Sequence, residues 1–256
     1  MSVLLLQLRA DLRVFLREPS DLFFSAILPL LFLVLFTAIF GNEEVEGRPD
    51  LRVAQQMVPG FIALAIVTAG FTSLTITLVL RRERGVLKRT RITPVAPWVP
   101  VAGLVAKALV VGFTVTLVLI VVGRLAYDVS LPAAHLPAVL LAIVVGAITF
   151  SCLGIAFTRV TRTEDAASAM TNAVALPLFF ISGVFLPKEE LPDTLRSIGD
   201  VLPVGPLHSV LVTAFDPRVS GAGIDLGPLA LLAAWGVAGL VVAMLVFNPL
   251  PRRDRE

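Results

Sequence analysis

Apolar residues in this chain run in six long blocks, separated by shorter segments that carry most of the charge. A bilayer core about 30 Å thick is crossed by roughly 20 apolar residues of helix. The first block, Leu22 to Phe40, holds no charged residue. The others run from about Met57 to Leu80, Val101 to Val122, Leu136 to Thr158, Ala166 to Leu186 and Leu226 to Phe247. Each predicts a transmembrane helix, since helix satisfies its own backbone where lipid offers no hydrogen-bond partner. Pro29, Pro59 and Pro177 predict local kinks. The expected fold class is therefore all-α: one polytopic domain over residues 1–256, with a six-span bundle over 22–247. A cleaved signal peptide does not fit the first block, because a charged leader precedes it and five further blocks follow.

The segments between the spans are patterned too. In the leader, Arg9, Arg13 and Arg17 recur every four residues, and Leu5, Leu8, Leu12 and Phe15 form an apolar stripe. That pattern predicts an interfacial helix within residues 1–20, lying along the membrane and ended by Pro19. Its role is a plain anchor or a lever touching a partner. The loop over 81–100 reads RRERGVLKRTRITPVAPWVP. Gly85 is expected to break the helix descending from the second span, and Val86 to Arg91 to form a short basic helix stopped by Thr93-Pro94. A charged helix beyond the membrane suits docking onto another protein; the simpler reading is an orientation anchor. Glu83, one acid among bases, is expected to pair with an arginine. In the long loop over 187–225, Pro187, Pro192, Pro203 and Pro206 alternate with Leu191, Leu195, Ile198 and Leu202 at helical spacing. This predicts short half-helices re-entering the outer leaflet after the fifth span.

Composition agrees: 57% of the 256 residues are hydrophobic and 16% are charged, against about 25% charged in soluble domains. Fourteen lysines and arginines fall on one side of the six predicted spans and six on the other. The excess places both termini in the cytoplasm by the positive-inside rule, and the chain in a plasma (inner) membrane. The basic balance is thereby explained without nucleic acid. The acidic stretch Asn42 to Glu46 then faces outward as a solvated turn. Cys152 is the single cysteine, and His135 and His208 lie far apart; neither a disulfide nor a metal site is expected.

Candidate chemistry is sparse. No GxxxxGK[ST] phosphate loop and no HExxH motif occurs, and Ser182-Gly183 follows Phe180 rather than the glycine of a GxSG protease. The only ionisable residue within the predicted spans is Lys107, near a helix end and able to snorkel. This argues against an ion-coupled carrier and for an external motor. Thr68, Thr72 and Thr75 share one face of the second span, and Asn172 lies on the fifth. They either bond neighbouring helices or form a mildly polar wall of a translocation path.

Two motif regions carry a family resemblance over nearly the whole chain. One is Arg82-Glu83-x-Gly85-x-Leu87, followed by Thr93-Pro94 and Lys107; the other is Ile181-Ser182-Gly183-Val184-Phe185-x-Pro187, followed by Leu191-Pro192 and Leu202-Pro203. With the amphipathic leader and six spans, the chain resembles the permease subunits of type-2 ABC exporters. The resemblance implies an ATPase-coupling segment containing Arg82, Glu83, Gly85, Leu87, Lys88, Arg89, Arg91, Thr93 and Pro94. It implies an outer gate with Ser182, Gly183, Phe185, Pro187, Pro192 and Pro203. It further implies a cytoplasmic ATP-binding cassette subunit as partner, holding ATP and Mg, with no cofactor on this chain. A second permease subunit completes the pathway, as homodimer or heterodimer, amid membrane lipid. Val204-Gly205-Pro206 departs from the Thr-His pair common in the family, as does a tail that lacks a basic-aromatic ending. The implied function is efflux of a small hydrophobic drug or lipid-like cargo by a chain with no catalytic site. An ion-coupled carrier and a non-transport anchor that recruits a soluble partner are the rival readings.

Overall fold

The computed structural model describes residues 3–40, 44–45, 48–86, 95–96, 98–130, 133–185 and 191–246. Helix α1 covers Val3–Arg17. Glu18 turns extended (φ −96°, ψ 99°), as a residue before proline must when it leaves helix, and α2 runs over Pro19–Phe40. A two-stranded antiparallel ribbon follows, β1 (Glu44–Val45) against β2 (Arg48–Arg52). The remaining elements are helical: α3 (Val53–Glu83), α4 (Val99–Tyr127), α5 (Leu136–Phe157), α6 (Glu164–Ile181), α7 (Asp193–Val201), α8 (Val204–Phe215) and α9 (Leu226–Val246). The architecture is an all-helical polytopic bundle carrying one small ribbon.

Helix α3 is the axis of the bundle. Its apolar stretch is 83% buried, against 22% for α2 and for α9. It touches α2, α4, α5, α6 and α8. Gly60, Ala63, Ala65, Ala69 and Gly70 keep its surface narrow, so neighbouring backbones approach closely. Around it Phe61, Ile62, Ile66, Leu119, Leu207 and Leu211 form a core with almost no exposure. The outward faces of α2, α4 and α9 remain apolar, with Ile39, Phe113, Leu117, Val237 and Met244 exposed, as lipid-facing helices require.

Among the described residues, five helices are long and apolar enough to cross a membrane by themselves: α2, α3, α4, α5 and α9. The predicted fifth span is α6, which ends earlier than the apolar block suggests and opens on Glu164 and Asp165. Its descent is read off its neighbours. Glu164 meets Glu83 at one end, and Val184, just past the other, closes on Gly60. The segment therefore runs beside α3 for about 35 Å at 1.5 Å per residue.

Past α6 the chain re-enters the bundle. Helices α7 and α8 meet at 90°, with Leu202 and Pro203 at the bend. Those two residues share a cavity with Val67, midway along α3. The far end of α8 returns to the first turn of α3, where Gln55 Nε2 donates to the Phe215 carbonyl at 3.0 Å. The hairpin thus enters from the Gln55 end of α3 and turns back halfway. A Cβ on Gly199 would overlap the Ile181 carbonyl, and one on Gly205 would overlap the Gly199 carbonyl. Bare glycine is what lets three backbones meet at this turn. Irregular backbone at such depth is held only because protein surrounds it.

Two π turns interrupt the long helices, at Phe23–Ile27 in α2 and Thr68–Ser73 in α3. The first directly precedes Pro29, whose missing N–H leaves a carbonyl one turn back without its usual donor. The second has no proline beside it; both α3 and α6 continue through Pro59 and Pro177.

Candidate functional site

At its Glu83 end, α3 offers three consecutive polar residues. Successive helix residues point about 100° apart, so each reaches a different element. The Arg81 guanidinium bonds the Asp11 carboxylate of α1. Arg82 donates to the Thr158 carbonyl at 2.9 Å, to the Thr161 carbonyl and to the Arg162 carbonyl at 3.4 Å. Thr158 caps the end of α5, where carbonyls lack intrahelical donors and the helix dipole is negative. Glu83 Oε2 accepts the Glu164 N–H at 2.9 Å, at the first turn of α6. Thr163 supplies the usual side-chain cap there, accepting from the Ala166 N–H. Three adjacent side chains therefore tie α1, the end of α5 and the start of α6 to one helix end.

Among the described residues, the partner of Glu83 is this backbone N–H; Arg89 and Arg91, two of the arginines expected to pair with it, lie outside them. Arg81 and Arg82 are engaged elsewhere, and Glu83 faces the N–H groups and positive dipole end of α6. Beyond it Gly85 adopts φ +67°, a left-handed conformation that ends the helix as expected. Leu87, Lys88, Arg89, Arg91, Thr93 and Pro94 lie outside the described residues.

A second polar cluster sits deeper. Lys107 was expected to snorkel to water; instead it is 3% exposed. Its ammonium donates to Asp21 Oδ2 at 3.0 Å and to Ser73 Oγ at 2.9 Å, and lies 5.5 Å from the centre of the Phe15 ring. Asp21 stands just before the π turn of α2, and Ser73 closes the π turn of α3. Lys107 therefore joins α4 to both irregular turns and to the aromatic end of α1. The spans hold a neutralised ion pair rather than a single lysine drawn out to the surface.

At the other end, Ser182 is buried, Gly183 takes φ +84°, and Phe185 enters an aromatic cluster. The Phe185 ring lies 5.5 Å from Phe32, 6.4 Å from Phe36, 5.9 Å from Phe179 and 5.2 Å from Phe180. This joins α6 to α2 through ring contacts. Pro192 and Pro203 precede the first turns of α7 and α8; Pro187 is outside the described residues. Thr68 and Thr75 bond the Leu64 and Phe71 carbonyls within α3, and Thr75 also reaches the Gly154 carbonyl of α5 at 3.1 Å. Thr72 is buried beside them. Asn172 lies on the exposed side of α6 and donates to the Ser168 carbonyl at 3.0 Å.

The profile of one known family, described as ABC-2 type transporter, matches residues 3–215, from α1 to the last turn of α8. The chain belongs to the ABC-2 type transporter family. The putative transport permease YvfS of Bacillus subtilis is 26% identical over 79% of this chain and 81% of its own length. The inner membrane transport permease YadH of Escherichia coli is 24% identical over 89% of this chain and 87% of its own. The daunorubicin resistance ABC transporter permease protein DrrB1 of Streptomyces coeruleorubidus is 28% identical over 98% of this chain and 85% of its own.

In this ABC-2 chain the polar residues that sequence reasoning missed are Asp11 and Asp21. Asp11 had a legible signal: with Leu8 and Phe15 it shares one helical face, an acid on an apolar stripe. Such a group is costly to bury alone and points to a basic partner. Nothing in the sequence says that the partner is Arg81.

Proposed function

We propose that this chain is the membrane subunit of an ATP-driven exporter, with a separate ATP-binding cassette subunit docking on the basic segment that follows Glu83. What carries the reading is the Arg81-Arg82-Glu83 junction. A push on the segment that follows Glu83 would act at once on α1, on the end of α5 and on the start of α6. Helix α6 in turn leads to the re-entrant hairpin and the Phe185 cluster, so a displacement at one face of the membrane has a packed route to the other. ATP and Mg belong to the partner ATPase. The pathway forms between this chain and a second permease subunit, identical or related. Both termini lie in the cytoplasm of a plasma (inner) membrane. The cargo is a small hydrophobic drug or lipid-like molecule: DrrB1 is named for resistance to daunorubicin, and the exposed helix faces here are uncharged through their apolar stretches. In this arrangement Ser182, Gly183, Phe185, Pro187, Pro192 and Pro203 form the outer gate.

Purification from native membranes in mild detergent tests the reading. A near-stoichiometric protein bearing a P-loop is expected, and vesicles holding both chains are expected to move dye-labelled lipid or drug only with ATP. Recovery of this chain without any ATPase, under conditions that preserve other membrane complexes, would overturn it. The buried Asp21–Lys107 pair favours one rival, an ion-coupled carrier, because intramembrane charges mark ion pathways. Transport sustained by a proton gradient without ATP is the outcome that selects that rival.

A further inference from the structure

A cavity of about 500 Å³ opens between α3, α5, α6, α9 and the tip of the re-entrant hairpin. Val67, Phe71, Phe150, Phe157, Leu178 and Trp235 are among the residues of its wall. The Trp235 indole N–H is already engaged, donating to the Val201 carbonyl at 2.8 Å. One lining residue is charged: Arg159, exposed just past the end of α5. From Phe150 to Arg159 the wall extends about 13 Å at 1.5 Å per helical residue. Half of a 30 Å hydrocarbon core is about 15 Å. The cavity is thus one leaflet deep. Leu202 and Pro203 line its end level with Val67, near mid-membrane, and Arg159 lines its end on the Glu83 side of the bundle.

We propose that this cavity holds an acyl chain of an anionic phospholipid from the leaflet on the Glu83 side, with the lipid phosphate against Arg159. Apart from Arg159 at its rim, the side chains lining the wall have no free polar group to orient a polar ligand, and an apolar cavity of this kind does not retain water. A cation at headgroup depth selects an anionic headgroup over a zwitterionic one. The lipid fills the space between α6 and α9 beneath the hairpin tip and so supports the turn at Leu202-Pro203. The site lies within one protomer; it rests on the membrane placement of the chain, not on the cargo or on the ATPase.

Trp235 is one of only two tryptophans, so a Trp98→Phe chain reports from the cavity wall alone. That chain is reconstituted in phosphatidylcholine vesicles containing rising fractions of phosphatidylglycerol brominated in its acyl chains, or of phosphatidylcholine brominated alike. Trp235 quenching is expected to saturate at a brominated phosphatidylglycerol fraction about fivefold lower than for the phosphatidylcholine, the factor of one arginine near an anionic surface. Arg159→Gln should bring the two curves together, Arg159→Lys should keep them apart, and Ala175→Leu, which narrows the cavity, should weaken quenching by both. Coincident curves in the parent chain, or a preference that survives Arg159→Gln, would overturn the assignment. So would displacement of brominated phosphatidylglycerol by a hydrophobic drug, which would make the cavity a cargo site.

Discussion

Glu83 and Lys107 are each placed by one or two short contacts, so single substitutions separate their roles. Glu83 holds the first turn of α6 through a backbone N–H. Glu83→Ala removes a charged cap, which costs about 1 kcal/mol where it is measured, too little to unfold the bundle. In the reconstituted complex we expect ATP hydrolysis to persist while cargo transport falls about tenfold, the rate equivalent of about 1.4 kcal/mol. Unchanged transport would remove Glu83 from the coupling route. Lys107 makes the opposite case. Lys107→Met leaves Asp21 nearly buried without its cation, and breaking such a pair costs about 3–5 kcal/mol. Lys107→Met combined with Asp21→Leu removes both charges and should recover most of the loss. Thermal unfolding in detergent, read as a double-mutant cycle, checks this; additive losses would mean that the two residues do not interact.

Among the elements, the helix-turn-helix of α6, α7 and α8 depends most on fine geometry. Gly199 and Gly205 have backbone carbonyls where a Cβ would stand, and carbonyls of packed helices cannot yield as a flexible side chain can. Gly199→Ala or Gly205→Ala should therefore displace the hairpin. We expect sharply lower yields of monodisperse protein and earlier proteolysis in the loop over 216–225. Gly221→Ala is the control: its φ of +87° carries strain, but its Cβ would meet open space. It should cost only about 1 kcal/mol. Equal behaviour of the three variants would refute the close approach as the reason for glycine. The π turns belong to this scale too. The turn at Phe23–Ile27 adjoins Pro29, where a kink was legible; the turn at Thr68–Ser73 was not, because nothing in a run of apolar residues marks where a helix takes an extra residue per turn.

Across the whole molecule, burial decides what the span hydroxyls do. Thr68, Thr72 and Thr75 face the interior of a single protomer, and Thr75 bridges α3 to α5. Thr75→Val, which keeps the shape and removes the donor, should lower stability by about 1 kcal/mol and leave cargo preference unchanged in transport assays. A changed preference with unchanged stability would return Thr75 to the pathway. Asn172 is the polar pathway candidate that lies on an outer face of the protomer, so Asn172→Leu is expected to alter transport without altering unfolding.

The six apolar blocks, the amphipathic leader and the break at Gly85 were readable from residues alone. Lipid provides no backbone partners, so length and apolarity dictate helix with little help from tertiary context. The re-entrant segment was readable as well, from prolines set among helically spaced leucines. The helix ends and the pairings were not. Glu83 meets a helix N-terminus among the described residues, and Lys107, able to snorkel, instead bonds Asp21 and Ser73. Those outcomes depend on which helix stands beside which, and a hydropathy pattern carries no information about neighbours. Charge alone specifies that a buried ion needs a partner; the packing of α1, α2 and α4 around α3 decides which partner is within about 3 Å.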